Sequence, residues 1–71
     1  TMMPLTMAAA GETATIRRVG GNAEVRRHLE NMGFVEGSNI TVVSVVGGNV
    51  IVNVKESRVA ISREMANKIM V

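Results

Sequence analysis

Cysteine, tryptophan and tyrosine are absent from this chain, and its 71 residues include a single phenylalanine and a single proline. Without cysteine neither a disulfide framework nor a thiolate metal centre can hold the fold together. At this length the core is near the lower size limit for stability, so packed Val, Ile, Leu and Met must supply the cohesion. With Phe34 as the sole aromatic there is no platform for stacking bases. Acidic groups are all glutamate, the net charge is only +2, and no long basic run exists. Arg17-Arg18 and Arg26-Arg27 therefore read as solvated faces rather than a nucleic-acid footprint. His28 is the only histidine, and neither a Gly-x-Ser-x-Gly elbow nor a Walker-type loop occurs. Nothing in the residues assembles a nucleophile with its base, so the chain is not expected to be an enzyme.

Charge is also missing locally, from Gly37 to Val54. A bilayer helix needs about 20 predominantly apolar residues. This window is interrupted by Gly47-Gly48-Asn49 and alternates in β-branched residues, so it is no span. The N-terminus has no charged n-region with a long apolar h-region. A soluble, cytoplasmic protein is the expectation.

What the window does contain is a hairpin. Asn39 to Val46 and Val50 to Val54 are β-branched runs joined by a connection of residues that tolerate positive φ. Thr1 to Met3 are expected to fray, with residues 4–71 forming one domain. Thr6 is a good N-cap for a Met7-Ala8-Ala9-Ala10 turn closed by Gly11, with Leu5 and Met7 as anchors. Glu12 to Val19 reads as one half-buried strand with Ala14 and Ile16 inward. Asn22 then caps a helix over Ala23 to Met32, whose Val25, Leu29 and Met32 make one apolar stripe. Gly33 sits at C′ and Phe34 at C″, where it can pack on Leu29.

Beyond the hairpin, Lys55-Glu56-Ser57 is a polar turn and Arg58 to Ile61 a short strand. Ser62 caps a second helical segment, Arg63 to Lys68, and Ile69-Met70-Val71 is a closing strand. The result is a mainly β fold of about five strands, one α-helix and a short second helical segment, best arranged as a small closed barrel.

Glu24 and His28, four apart on one helix flank, are the only pair that suggests a divalent cation such as Fe²⁺. Two ligands fall short of the three or four protein groups of a zinc site, and a surface Glu-His pair is the simpler reading. No cofactor is expected, and any Fe²⁺ binding should be weak.

Read in order, Leu5, Gly11-Glu12, Ile16 and Leu29-x-x-Met32-Gly33-Phe34-x-x-Gly37 form the first part of a recognisable pattern. Ile40-x-Val42, Gly47-Gly48 and Val59-Ala60-Ile61-x-Arg63-x-x-Ala66-x-x-Ile69-x-Val71 complete it. The ordered set, spanning Pro4 to Val71, resembles the FeoA family of small proteins associated with bacterial ferrous-iron uptake. Asn49 stands where that family often has proline, Glu56-Ser57 occupies a turn that usually carries glycine, and Ser62 replaces a common basic residue. The resemblance implies an SH3-like β-barrel and a non-catalytic accessory or regulatory role beside the FeoB transporter, whose cytosolic part is a GTPase. It does not imply proline-rich peptide binding, because that groove is built from aromatic side chains. The rival is a metal-responsive or nucleic-acid-associated module related to the C-terminal domain of iron-dependent repressors.

A protein partner, whether the transporter or a second copy of the chain, needs a surface. Strict alternation puts Val50, Val52 and Val54 inward with Ile40 and Val42, leaving Val43, Val45 and Ile51 as an outward aliphatic strip. Ser44 falls on the inward face in this scheme, so a bulge there would exchange the two sets. The alternative contact surface is the helix face bearing Arg26 and Arg27.

Overall fold

The computed structural model describes residues 2–71, with strands β1 Thr13–Thr15, β2 Arg18–Val19, β3 Asn39–Val46, β4 Asn49–Val54, β5 Ser57–Ser62 and β6 Ile69–Met70. Helix α1 spans Ala23–Asn31 and α2 spans Arg63–Ala66, and a 3₁₀ turn covers Leu5–Met7. The fold is mainly β, as expected. It is not a closed barrel: the strands form a four-stranded sheet ordered β1-β3-β4-β5 and a separate two-stranded sheet, β2-β6.

The split has a local cause. Glu12 to Val19 is not one strand. Ile16 donates its N–H to Ser38 O (2.8 Å) and accepts from Gly37 N (2.8 Å), while Arg17 N turns to Met70 O (2.8 Å). The chain leaves the larger sheet at Ile16 and joins the smaller one. Consecutive exposed arginines, Arg17 and Arg18, break the period-two alternation at this point. The last strand, only two residues long, therefore pairs with β2 and cannot close the larger sheet.

The N-terminal turn also lies earlier than expected. Met7 N bonds Pro4 O (2.9 Å) and Ala8 N bonds Leu5 O (3.0 Å), so the turn is a 3₁₀ turn over Leu5–Met7 and Thr6 does not cap it. Leu5 is buried as an anchor, but Met7 is 70% exposed. Of the three residues expected to fray, Thr1 lies outside the described residues, while Met3 exchanges backbone hydrogen bonds with Val71 (2.9 and 2.8 Å).

Helix α1 begins and ends as its sequence requires. The Asn22 side chain accepts from Val25 N at 2.9 Å, satisfying one donor of the first turn. At the other end Gly33 takes φ +101°, its N–H reaches Glu30 O (3.0 Å), and Phe34 N reaches Leu29 O (3.0 Å). These are the two bonds of a Schellman ending, with Gly33 at the left-handed position. Phe34 and Leu29 are both wholly buried, so the helix is locked to the sheet by the largest side chain of the core. The second helix is shorter than Arg63 to Lys68, but Ser62 Oγ accepts from Met65 N (3.2 Å) as its cap.

In the hairpin, β4 follows its alternation: Val50, Val52 and Val54 are buried, Ile51 and Asn53 half-buried. Their inward partners are Ile40 opposite Val54 and Val42 opposite Val52.

Candidate functional site

Above Val42 the hairpin changes. The register shifts between Val42 and Ser44, leaving Val43 as the extra residue of a β-bulge. Ser44 then faces Ile51, Val45 faces Val50 and Val46 faces Asn49. Directly opposed residues of an antiparallel pair project to the same side of the sheet. Val45 therefore belongs to the inward side with Val50, and Ser44 to the outward side with Ile51. The strip of Val43, Val45 and Ile51 is thus divided, because the inserted residue reverses the parity. Val43 and Ile51 are half-buried, whereas Val45 is 55% exposed although it lies on the core side. Val46, which alternation alone did not single out, is 62% exposed. The signal for it was Ser44, a polar residue at a nominally inward position.

The outward face of the sheet is polar over its lower half. Thr13 and Thr41 hydroxyls are hydrogen-bonded at 2.9 Å, Thr15 donates to Asn39 Oδ1 at 3.2 Å, and Arg58 Nε donates to Asn53 Oδ1 at 3.1 Å. Past the bulge the outward face is mixed: Ile51 lies between Ser44 and the exposed Ala60, and Val46 shares the next row with Asn49 and Ser62.

Helix α1 carries the remaining candidates. Glu24 and His28 are both exposed, in the first and last turns respectively. Those positions complement the helix dipole, which favours acid at the N-terminus and base at the C-terminus. Among the described residues no three His, Cys, Asp or Glu side chains gather as a metal-binding group, so the pair gains no third ligand. Arg26 and Arg27 are exposed on the same helix. No cavity is found among the described residues, and no helix there is long and apolar enough to cross a membrane. What the geometry offers is surface: an apolar hairpin tip, a sheet edge and a charged helix.

A model of the FeoA domain family matches residues 3–71. The Methanocaldococcus jannaschii protein named Fe(2+) transport protein A is 36% identical over 70 residues, covering 99% of this chain and 85% of its own. Among solved structures, an iron uptake regulatory protein (FeoA) superposes with TM-score 0.90 at 28% identity, covering 100% of this chain and 95% of the other. The zinc-complexed FeoA of Stenotrophomonas maltophilia, described as a prokaryotic SH3 domain protein, gives TM-score 0.81 at 26% identity, with 94% and 86% covered. A manganese-dependent transcriptional repressor shares the fold at TM-score 0.89 and 20% identity over 99% of this chain, which spans only 40% of the repressor.

Proposed function

The chain belongs to the FeoA family, and from that premise we propose that it is an accessory protein of ferrous-iron uptake that acts in the cytoplasm on the GTPase-bearing cytosolic part of the FeoB transporter. The observation that carries this reading is the family match across residues 3–71. The family consists of small accessory transport proteins and is not a known enzyme family. Its small, open-sheeted SH3-like fold fits work by contact rather than by chemistry.

Contact is made through the hairpin tip, where Val45 and Val46 stand exposed, with Val43 and Ile51 contributing from the outward face. Exposed aliphatic side chains on both faces of one hairpin tip, Val45 on the core side and Val46 on the outward side, are a candidate interaction surface on a domain this small. Arg26 and Arg27 form the second contact surface. Capture of the transporter's cytosolic domain by the immobilised chain, with and without GTP, tests the reading. Val45→Glu combined with Val46→Lys should abolish capture and leave the circular-dichroism spectrum unchanged. Retained capture moves the interface to Arg26 and Arg27, and no capture by the unaltered chain in either nucleotide state overturns the proposal.

Ferrous iron is the cargo in this reading, and the isolated chain should bind it weakly at most, since a Glu-His pair alone falls short of the three or four protein ligands of a metal site and among the described residues no such group gathers. Anaerobic titration calorimetry should show no saturable heat; tight binding abolished by His28→Ala would reverse this. The likeness to the repressor concerns the fold alone. Sequence-selective DNA binding that survives physiological salt would favour that second reading, because purely electrostatic contacts weaken as salt rises.

A further inference from the structure

The larger sheet has two edges, and they are treated differently. On one side β1 is only three residues long, and above it the edge of β3 is bent by the bulge at Val43. Short strands and bulges are devices that blunt an edge against pairing. On the other side β5 runs six residues in unbroken register with β4 and contains no proline.

The lanes of hydrogen bonding on β5 follow from its turn. Val54 and Ser57 flank the two-residue connection Lys55-Glu56 and so form a hydrogen-bonded pair. Bonds then alternate along the strand. Ser57, Val59 and Ile61 bond to β4, the N–H and C=O of Arg58 and Ala60 point away from the sheet, and Ser62, the N-cap of α2, gives its C=O to the first helical turn and keeps only its N–H for the edge. Among the described residues no backbone partner outside the ladder takes up Arg58, Ala60 or the Ser62 N–H, and all three residues are exposed.

The strand's only charged side chain does not guard it. Arg58 is drawn back over its own sheet, its Nε on Asn53 Oδ1 at 3.1 Å. We propose that β5 is a self-pairing edge, on which a second copy of the chain adds its own β5 antiparallel about a two-fold axis through Ala60.

Three properties select a second copy as the occupant. An antiparallel edge presents the same order of donors and acceptors read from either direction, so it is complementary to itself under two-fold symmetry. With Ala60 on the axis, Arg58 faces Ser62 of the second copy, and no like charges are opposed. Ile51 and Ala60 are cross-strand neighbours, so their row continues across the axis onto Ala60 and Ile51 of the copy. The exposed Ala60 gains an apolar neighbour, Ala60 of the copy, where the monomer offers water. Two four-stranded sheets become one of eight.

Sedimentation equilibrium of the chain over about a hundred-fold range of concentration should show a monomer–dimer equilibrium, since association follows mass action. Ala60→Lys places two ammonium groups on the axis and should raise the dissociation constant about tenfold or more, because like charges directly opposed destabilise a strand pair. The absence of native cysteine makes a cross-link unambiguous. Ala60→Cys should be joined into a covalent dimer by a short bis-maleimide, since opposed Cβ atoms of such a pair are about 5.5 Å apart, too far for an unstrained disulfide but within the linker's span. Thr13→Cys, on the other edge strand, should not. Should Ala60→Lys fail to fold, amide exchange on the unaltered chain decides: Arg58, Ala60 and Ser62 should slow as concentration rises. A monomer throughout the range overturns the proposal, and so does a dimer that ignores Ala60→Lys and does not cross-link as Ala60→Cys. Protection of those amides only when the transporter's cytosolic domain is added would assign the edge to that partner and overturn self-pairing. Loss of self-pairing leaves the transporter capture experiment unaffected, so the two failures are distinguishable.

Discussion

The two ends of the β3–β4 hairpin are made of the same residue types and are covered unequally: β4 stays buried as far as Val50, while β3 emerges past its bulge. At the lower end Ile40, Val42, Val52 and Val54 are almost wholly buried, whereas at the upper end Val45 and Val46 are more than half exposed. Intrinsic hydrophobicity does not distinguish Val52 from Val46. What differs is company. The lower end is roofed by the close of α1, where Phe34 enters the core and the Lys55 stem lies over Gly33. The upper end runs past the bulge and past the last bond to the N-terminal segment, Gly11 N to Val42 O at 2.7 Å. A valine is core only where a neighbouring element reaches it.

Removing the roof should be the harshest test of that contrast. Phe34→Ala is expected to cost about 3 kcal/mol or more by cavity formation, which lowers the melting temperature of a domain this small by roughly 12 °C or abolishes folding. A shift of only a degree or two would show that the lower end is held by something else. Next in size is a matched pair within the hairpin. Val52→Ala should cost about 2 kcal/mol, and Val46→Ala should stay within about 0.5 kcal/mol; equal losses in chemical denaturation would erase the distinction between the ends.

The turns at the two ends sharpen it further. Gly47 and Lys55 each begin a two-residue connection, with φ +59° and +55°. Lysine already bears a backbone conformation that glycine takes freely at the other turn. Gly47→Ala should therefore fold and cost about 1 kcal/mol, since a Cβ there meets nothing within 4 Å and only backbone strain remains. A larger loss would mean that the exposed tip is packed after all. A comparably small effect belongs to the cap of the second helix. Ser62→Ala should cost about 0.5–1 kcal/mol, read as a melting shift of a few degrees.

How far the sequence discloses this molecule depends on how local each determinant is. Asn22, Gly33 and Phe34 specify both ends of α1 within a few residues, and β4 alternates without interruption; both were legible. The division of Glu12 to Val19 into two strands was signalled only by Arg17 and Arg18 side by side, and where each half pairs depends on Ser38 and Met70, distant in the chain. Barrel closure was misjudged for the same reason: strand counting cannot see that β6 pairs with β2. The family could be recognised from glycines and aliphatics in order, because these fix turns and core. The exposed valines of the hairpin tip could not, since the parity of Val45 turns on one inserted residue and the exposure of Val46 on what fails to cover it.

That inserted residue also has a mechanical effect. From Ile40 to Val46 β3 spends seven residues against the six of β4 from Asn49 to Val54. Two bonded strips of unequal length cannot lie flat, and the longer must bow, as a bimetallic strip does when one layer outgrows the other. The bulge at Val43 thus supplies curvature at a fixed point. Curvature set in this way lets a sheet of short strands bend around its contents without being fastened edge to edge, and it leaves the β5 rim available.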